Sequence, residues 1–198
     1  MAWLTKLPLT LVLIAICCVL YWGPFPHTAL YLQTQPLNIP SLISGHFMHS
    51  DLNHFTFNVI ALGVLASIIE LQSRRLLVMC LAAGILSVNT LLLSPLASIS
   101  LYCGLSGVLN SLFVSAVLLL WRQQHNPLLL MSLFGALLKP LVEIQLNQAL
   151  FSSTHWPPYP PAHLAGLFGG TVVALHYFSR KADASSMTPP NRGLQHVR

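Results

Sequence analysis

The stretch that decides the fold is Leu101-Tyr-Cys-Gly-Leu-Ser-Gly-Val-Leu-Asn-Ser-Leu-Phe-Val-Ser-Ala-Val-Leu-Leu-Leu-Trp121. It runs for 21 residues without a charged side chain. A helix needs roughly 20 such residues to cross about 30 Å of hydrocarbon. Near its start it also carries a serine flanked by glycines, Gly104-Leu-Ser-Gly107, which an inert membrane span would not need. The stretch therefore predicts a membrane helix with polar chemistry near one end.

The composition extends this prediction to the whole chain. Of its 198 residues, 55% are apolar and only 7% are charged, against about 25% charged in ordinary soluble proteins. The mean hydropathy is +0.69, so the chain has too little polar surface to stay dissolved as a globule. The net charge of +5 comes from bases that separate apolar runs and form no patch. This pattern predicts a lipid bilayer as the partner, and no nucleic acid.

Six apolar runs are long enough to be spans, so we predict an all-α membrane protein with six transmembrane helices. The runs lie at about Leu7–Trp22, Asp51–Leu71, Leu76–Leu93, Leu101–Trp121, Leu128–Gln148 and Pro161–Phe178. The first run follows a lysine, as a signal peptide would, but no A-x-A cleavage pattern follows it, which favours a retained span. Residues 1–180 are therefore predicted to form one six-span domain, and residues 181–198 a disordered cytoplasmic tail.

The basic residues predict the orientation of the spans. Eight of the nine Lys and Arg residues fall on one side, and the opposite loops, roughly 23–50, 94–100 and 149–160, contain none. The ninth, Lys139, lies within the fifth run. This asymmetry predicts that both termini are cytoplasmic. Four prolines in the first outer loop forbid one continuous helix there, which predicts a structured or interfacial segment.

Three polar residues on three different runs share one depth. Ser106, His163 and Asn58 each lie 16 or 17 residues before a basic residue near the end of their run. That spacing corresponds to ~24–25 Å above the cytoplasmic boundary. His54 lies one helical turn above Asn58 on the same face. Polar side chains at membrane depth are costly, so the shared level predicts a functional site below the outer surface.

Ser106 and His163 are the predicted centre of that site. Glycines at positions 104 and 107 permit a tight turn, and a helix that starts near Ser106 would point unpaired N–H groups at an anion. The fourth span would then be a short helix that starts inside the membrane. A serine hydroxyl needs a base to become a nucleophile, and His163 can supply one. Gly166 and Gly170 give the sixth run a small face for close packing.

No acidic residue suits the third position of a catalytic triad. By the same depth count, Glu70 and Asp183 lie near the cytoplasmic boundary. Glu143 is spaced to pair with Lys139 on its own helix. The sequence therefore favours a Ser–His dyad, with the two polar residues of the second run as donors to the oxyanion.

A metal site is the alternative for the histidine-rich segment before the second run. His46, His49 and His54 lie close to Asp51 in the sequence. Zinc needs three or four converging ligands, and a metalloprotease helix carries H-E-x-x-H, which is absent. We therefore expect neither a metal nor another cofactor, and we interpret His46 and His49 as residues that fix the loop.

Taken together, these motifs resemble the rhomboid family of intramembrane serine proteases. The matching pieces, in the family's order, are His49-x4-His54-x3-Asn58, Gly104-Leu-Ser-Gly107 and Ala162-His163-x2-Gly166-x3-Gly170. The resemblance covers about residues 1–180 and implies a rhomboid-like helical bundle. It implies that Ser106 is the nucleophile and His163 its base. It also implies that His54 and Asn58 help to form the oxyanion hole.

Within that family the chain looks most like the rhombosortases, which are compact bacterial members associated with proteins that bear a C-terminal GlyGly-type tail. The short length, the Gly45-His-Phe-Met-His49 stretch, and Lys139 with Glu143 fit this subgroup. Asn110 stands where an aromatic residue or a histidine is common, and a Trp-Arg pair common in the first outer loop is missing. The resemblance implies transmembrane substrates with GlyGly-type tails and a location in the bacterial inner membrane.

Three other functions stay open at this point. The first is a rhomboid protease with other single-span substrates. The second is a rhomboid-like protein that binds transmembrane helices without cutting them. The third is a small transporter, which is disfavoured because no inverted repeat is visible in the sequence.

Overall fold

Helices form most of the fold in the part of the chain that the structure describes. The computed structural model describes residues 6–148, 150 and 158–186. The elements in chain order are α1 (Pro8–Trp22), α2 (His27–Leu30), β1 (Leu32–Gln33), α3 (Ser41–Phe47), α4 (Leu52–Gln72), α5 (Arg74–Leu92), β2 (Leu101–Tyr102), α6 (Ser106–Gln124), α7 (Pro127–Leu146) and α8 (Pro160–Ser186). The predicted helical architecture is confirmed, with one short antiparallel pair, β1 with β2, that the sequence analysis did not predict.

Each predicted apolar run overlaps one long helix. Side-chain caps mark where two of these helices, α4 and α5, begin. Asp51 accepts a hydrogen bond from the amide of His54 (2.9 Å) and precedes the first residue of α4. Ser73 caps α5 in the same way, so α5 begins at Arg74 and not at the predicted Leu76. Such side-chain oxygens satisfy amides that the first turn of a helix leaves unpaired.

The fourth long helix departs most from its predicted run. The apolar run starts at Leu101, but Leu101 and Tyr102 are extended and pair with the two residues of β1. The helix α6 begins only at Ser106. The prediction that a helix starts near the serine between glycines is therefore confirmed, and the five residues before it form a strand and a turn.

Within the described residues, three helices are by themselves long and apolar enough to cross a membrane, namely α4, α5 and α7. The apolar helix α1 is shorter, at 15 residues. Ten residues of α6 are buried against other parts of the protein. Fewer of its side chains would therefore contact lipid, so fewer of them need to be apolar. The count of six spans stays a prediction.

The helix α6 lies at the centre of the bundle and packs against α4, α5, α7 and α8. Small residues permit the closest approaches: a β-carbon at Gly170 of α8 would overlap the backbone of Ser111. Hydroxyl groups add polar contacts to α5, since Ser111 donates to the carbonyl of Cys80 (2.8 Å) and the Cys80 thiol donates to Ser115 (3.0 Å). Small residues and buried hydroxyls are the features that hold helices together in a bilayer.

A buried carboxylate ties the C-terminal end of α4 to the start of α1. Glu70 accepts hydrogen bonds from the amides of Leu9 (3.0 Å) and Thr10 (2.8 Å), and from the Thr10 hydroxyl (2.7 Å). The residue that precedes α1 makes no side-chain cap of its own. A carboxylate at a helix N-terminus satisfies unpaired amides and interacts favourably with the helix dipole. Glu70 therefore fixes α1 to the rest of the bundle.

The last helix is longer than predicted. It continues to Ser186, six residues beyond the predicted domain boundary at residue 180, and the division into a domain and a disordered tail stays a prediction. The physical reason is local: the first proline after Lys181 is Pro189, so no residue before it prevents helix formation. The tail prediction for residues 187–198 lies outside the described residues, as do residues 151–157 of the last predicted outer loop.

Candidate active site

Ser106 is the first residue of α6, and it contacts His163 in the first turn of α8. The distance between His163 Nε2 and Ser106 Oγ is 3.0 Å, which is within hydrogen-bond range. The two residues are 57 positions apart in the chain. The structure therefore brings together the serine and the histidine for which the sequence analysis expected one depth.

Close packing of α8 on α6 sets this distance. Gly166 lies one turn after His163, and a β-carbon on it would overlap the carbonyl oxygen of Gly107, the residue next to Ser106. Ala162, the residue before His163, is fully buried. Only residues with little or no side chain allow the two backbones to approach so closely.

Asn110 lies one turn after Ser106 and turns toward the backbone of its own helix. Its Nδ2 donates to the carbonyl oxygen of Ser106 at 2.8 Å. Asparagine carries no ring that could stack on the imidazole of His163. The side chain instead supports the first turn of α6, which carries the serine.

The two polar residues of α4 lie beside Gly104, just ahead of Ser106. A β-carbon on Gly104 would lie 2.6 Å from His54 Nε2 and 4.0 Å from Asn58 Nδ2. Asn58 is buried, and its Nδ2 has no hydrogen-bond partner within the described part of the chain. A buried donor without a partner is costly, so it is a feature that a bound acceptor would explain.

Ser50 and Asp51 hold the other side of the His54 ring. Ser50 Oγ lies 3.1 Å from His54 Nδ1 and 2.8 Å from Asp51 Oδ2. Because a carboxylate only accepts, the Ser50 hydroxyl donates its one proton to Asp51 and accepts from His54 Nδ1. This contact places a ring proton on Nδ1, so Nε2, which faces Gly104, donates a hydrogen bond there when the ring also carries its second proton.

The turn at Gly104 depends on residues that the sequence analysis missed. Gly104 has a φ of 125°, a backbone conformation that residues other than glycine rarely adopt. Its amide donates to the carbonyl of Gly45 (3.0 Å) and its carbonyl accepts from the buried Tyr102 hydroxyl (3.0 Å). A tyrosine inside an apolar run was the available signal, because a buried tyrosine hydroxyl usually has a partner.

A cavity of about 300 Å³ opens beside Ser106 and His163. Its remaining lining residues come from α4, α6 and α7, and they are Ala61, Leu65, Leu109, Asn110, Phe113, Ala136, Lys139 and Pro140. Most of this wall is apolar, and its polar members are Ser106, Asn110, Lys139 and His163. Such a cavity suits an apolar peptide segment whose reacting bond is directed at a few polar groups.

His46 lies near the end of α3, and His49 lies in the loop between α3 and α4. His46 is buried, and its Nε2 lies 2.9 Å from Asn89 Oδ1. The buried ring of His49 packs edge-on against His54, with centroids 5.2 Å apart. Burial lowers the pKa of His46, and burial together with the nearby His54 lowers the pKa of His49 to about 3. Among the residues with described positions, no group of three His, Cys, Asp or Glu side chains could hold a metal ion.

The apolar helices and the Ser–His contact at the start of a buried helix define a class, that of multi-pass membrane proteins with a candidate serine-hydrolase site. The family model of the Rhomboid domain matches residues 37–180 of this chain. The chain therefore belongs to the rhomboid family, whose members are generally intramembrane serine proteases that act on transmembrane substrates in the bilayer. A search of the curated proteins gives no match.

Proposed function

We propose that this protein is a serine endopeptidase that hydrolyses peptide bonds of membrane proteins within the bilayer. The observation that carries the proposal is the 3.0 Å distance between His163 Nε2 and Ser106 Oγ. A base within hydrogen-bond reach of a hydroxyl is the arrangement that activates serine as a nucleophile. Membership in the rhomboid family supports the same reaction.

In the proposed first step, Ser106 Oγ attacks the scissile carbonyl while His163 Nε2 takes the hydroxyl proton. The tetrahedral intermediate then collapses, the C–N bond breaks, and His163 gives the proton to the leaving amine. Water then attacks the resulting ester while His163 takes one of its protons. The ester C–O bond breaks, His163 returns the proton to Ser106 Oγ, and the carboxylic product leaves. Each proton that the imidazole removes is returned within the cycle, so no other acid or base is required.

The oxyanion of the intermediate is proposed to bind to the amide of Ser106, to His54 and to Asn58. The unpartnered Nδ2 of Asn58 and the position of His54 Nε2 beside Gly104 support this role. Preorganised donors at a water-poor site stabilise developing charge strongly, because they need no reorientation during the reaction.

The proposed machinery is a dyad without a third acidic member. Asp51 caps α4 through the amide of His54. Glu70 binds the start of α1, and Glu143 binds Lys139. These three carboxylates are therefore engaged elsewhere, and the dyad is the mechanism that fits these contacts.

The proposal includes six spans, α6 as a short span that starts inside the membrane, and both termini in the cytoplasm of a bacterial cell. The bias of eight basic residues to one side supports this orientation. Reporter domains fused to either terminus test it: a fluorescent protein should be active and alkaline phosphatase inactive. An active phosphatase at either terminus contradicts the orientation.

The substrates are proposed to be single-span proteins with C-terminal GlyGly-type tails, as for rhombosortases. The Lys139–Glu143 pair supports this subgroup, together with the resemblance of the motifs. Co-expression with a GlyGly-tailed protein tests it, and cleavage should require both Ser106 and His163. An uncut tail, with cleavage of another single-span protein, would favour a generic rhomboid protease.

Labelling by a fluorophosphonate serine probe tests the catalytic proposal directly. The wild-type protein should be labelled, and Ser106→Ala should not be. Ser132→Ala is the matched control, since Ser132 is an exposed serine on α7 that donates only to a carbonyl of its own helix among described contacts. Absence of labelling in a folded wild-type protein supports the alternative of a non-catalytic protein that binds helices.

A further inference from the structure

Lys139 of α7 carries a positive charge to the cavity beside the proposed active site. It lines the same cavity as Ser106 and His163. Its Nζ donates to Glu143 Oε1 at 2.6 Å, one turn along α7. The Lys139 side chain is 39% exposed, whereas the Glu143 side chain is fully buried. The partly exposed lysine side chain therefore forms part of the cavity wall, and the carboxylate that binds its ammonium group is buried.

Packing alone does not account for this pair. Apolar residues of similar volume are often as stabilising as a buried ion pair, and ionisable residues are rare at membrane depth. Glu143 Oε1 also accepts from the amide of Leu150 at 2.8 Å, which gives the carboxylate a structural contact. The cavity-facing position of the lysine has no such explanation.

The charges at this place favour a neutral partner for the lysine. An ammonium group has three donors, and the described contacts use one of them for Glu143. The charges of Lys139 and Glu143 nearly cancel. A substrate carboxylate that bound Lys139 would lie beside the Glu143 carboxylate, and one positive charge would then face two negative charges. An uncharged acceptor can use the spare donors without that penalty.

A peptide segment in the cavity would need such a donor. A transmembrane helix must unwind to expose a scissile carbonyl, and its freed carbonyls and polar side chains then lack partners in an apolar setting. Apart from Lys139, the lining residues with side-chain donors are Asn110, Ser106 and His163. Asn110 donates to the Ser106 carbonyl, and the other two form the proposed dyad. Lys139 is therefore placed to satisfy an acceptor of the unwound segment.

We infer that Lys139, held by Glu143, is a specificity-determining residue that binds an uncharged hydrogen-bond acceptor of the substrate, such as an Asn side chain, beside the scissile bond. This inference rests on the proposed function, because it assigns the cavity to a substrate. It adds a preference for polar, uncharged residues in the unwound segment and a discrimination against acidic ones.

Binding of single-span peptides to the full-length Ser106→Ala protein in lipid nanodiscs tests the inference. The fluorescent peptides carry a small-residue motif, an apolar span and a basic end. The peptides come in sets of three that differ only in one residue, Leu, Asn or Asp, near the outer end of the span. Each set places this residue at a different position. At one position the Asn peptide should bind about tenfold more tightly than the Leu peptide, and the Asp peptide no more tightly than the Leu peptide.

Substitutions of the pair distinguish recognition from a structural role. Lys139→Met should remove the preference for Asn over Leu, and Lys139→Arg should retain it. Glu143→Gln should shift the preference toward Asp, because the ammonium group then lacks its counter-ion. Equal weakening of all three peptides by Lys139→Met, or no Asn preference at any scanned position, overturns the inference.

Parallel cleavage assays with the wild-type protein keep the two proposals separate. Failure to cut any of the peptides counts against the protease function. The binding preferences, measured on protein that lacks the nucleophile, still decide the role of Lys139. If Lys139→Met does not fold, the peptide preferences of Lys139→Arg and Glu143→Gln still test the inference. The first variant should keep the preference for Asn over Leu, and the second should shift it toward Asp.

Discussion

Gly166 of α8 packs directly on the carbonyl oxygen of Gly107 of α6, and no β-carbon fits between the two backbones. This contact lies one residue after Ser106 and one turn after His163. It fixes the approach of the two helices at the level where the hydroxyl and the imidazole meet. The Ser–His distance is therefore a consequence of backbone packing.

The first prediction concerns this glycine contact. Gly166→Ala should separate α6 from α8, destabilise the protein by about 1–3 kcal/mol as overpacking does, and greatly reduce fluorophosphonate labelling. Thermal unfolding in detergent and labelling rates measure both effects. Gly135→Ala on α7 is the matched control, since a β-carbon there meets no atom within 4 Å, and it should leave labelling unchanged. Equal behaviour of the two variants would contradict the packing account.

The second prediction concerns the donors on α4. Asn58→Ala and His54→Ala should each lower kcat about 10²-fold or more, because each removes one proposed donor to the oxyanion. The KM for a cleaved single-span substrate should change much less. Asn53→Ala is the control, since Asn53 is exposed on the same helix. A change confined to KM would show that these residues bind substrate and do not stabilise the transition state.

The third prediction concerns the buried carboxylate at α1. Glu70→Ala should destabilise the protein by about 3 kcal/mol, because it leaves the amides of Leu9 and Thr10 without their acceptor. Arg74→Gln should change stability by less than about 1 kcal/mol. Its ion pair with Glu70 is 3.5 Å long, and the arginine side chain is 56% exposed. Thermal unfolding of the two variants makes the comparison, and similar losses would show that the ion pair is the important contact.

The fourth prediction concerns pH and His49. Burial lowers the pKa of His49 to about 3 in the folded protein, whereas the unfolded chain titrates near its ordinary value of about 6.5. Between these values the unfolded state binds the proton and the folded state does not. The free energy of unfolding should therefore fall by about 2 kcal/mol from pH 7.5 to pH 5 through this group.

Unfolding curves at the two pH values test this assignment. His49→Phe keeps a ring in the same place and should flatten the pH dependence. His176→Gln changes an exposed histidine of α8 and should not alter it. An unchanged pH dependence in His49→Phe would assign the acid sensitivity to another group, such as the buried His46.

Local signals in the sequence were sufficient for several features of the site. The glycines around Ser106 predicted where α6 begins, because helix starts and tight turns depend on neighbouring residues. The spacing of Lys139 and Glu143 predicted their ion pair, which forms at 2.6 Å. The contacts that were not predicted join distant parts of the chain. Glu70 reaches the start of α1, and Gly45 accepts the amide of Gly104.

The sequence by itself determined an apolar helical chain with a serine, a histidine and an asparagine expected at one depth, because hydropathy and helical rise are properties of single segments. Only the tertiary structure decided that Ser106 Oγ and His163 Nε2 lie 3.0 Å apart. It also decided that Lys139 faces the same cavity. The distance between two helices depends on how closely their backbones pack, and here that depends on Gly166 against Gly107. No count along one segment contains that information.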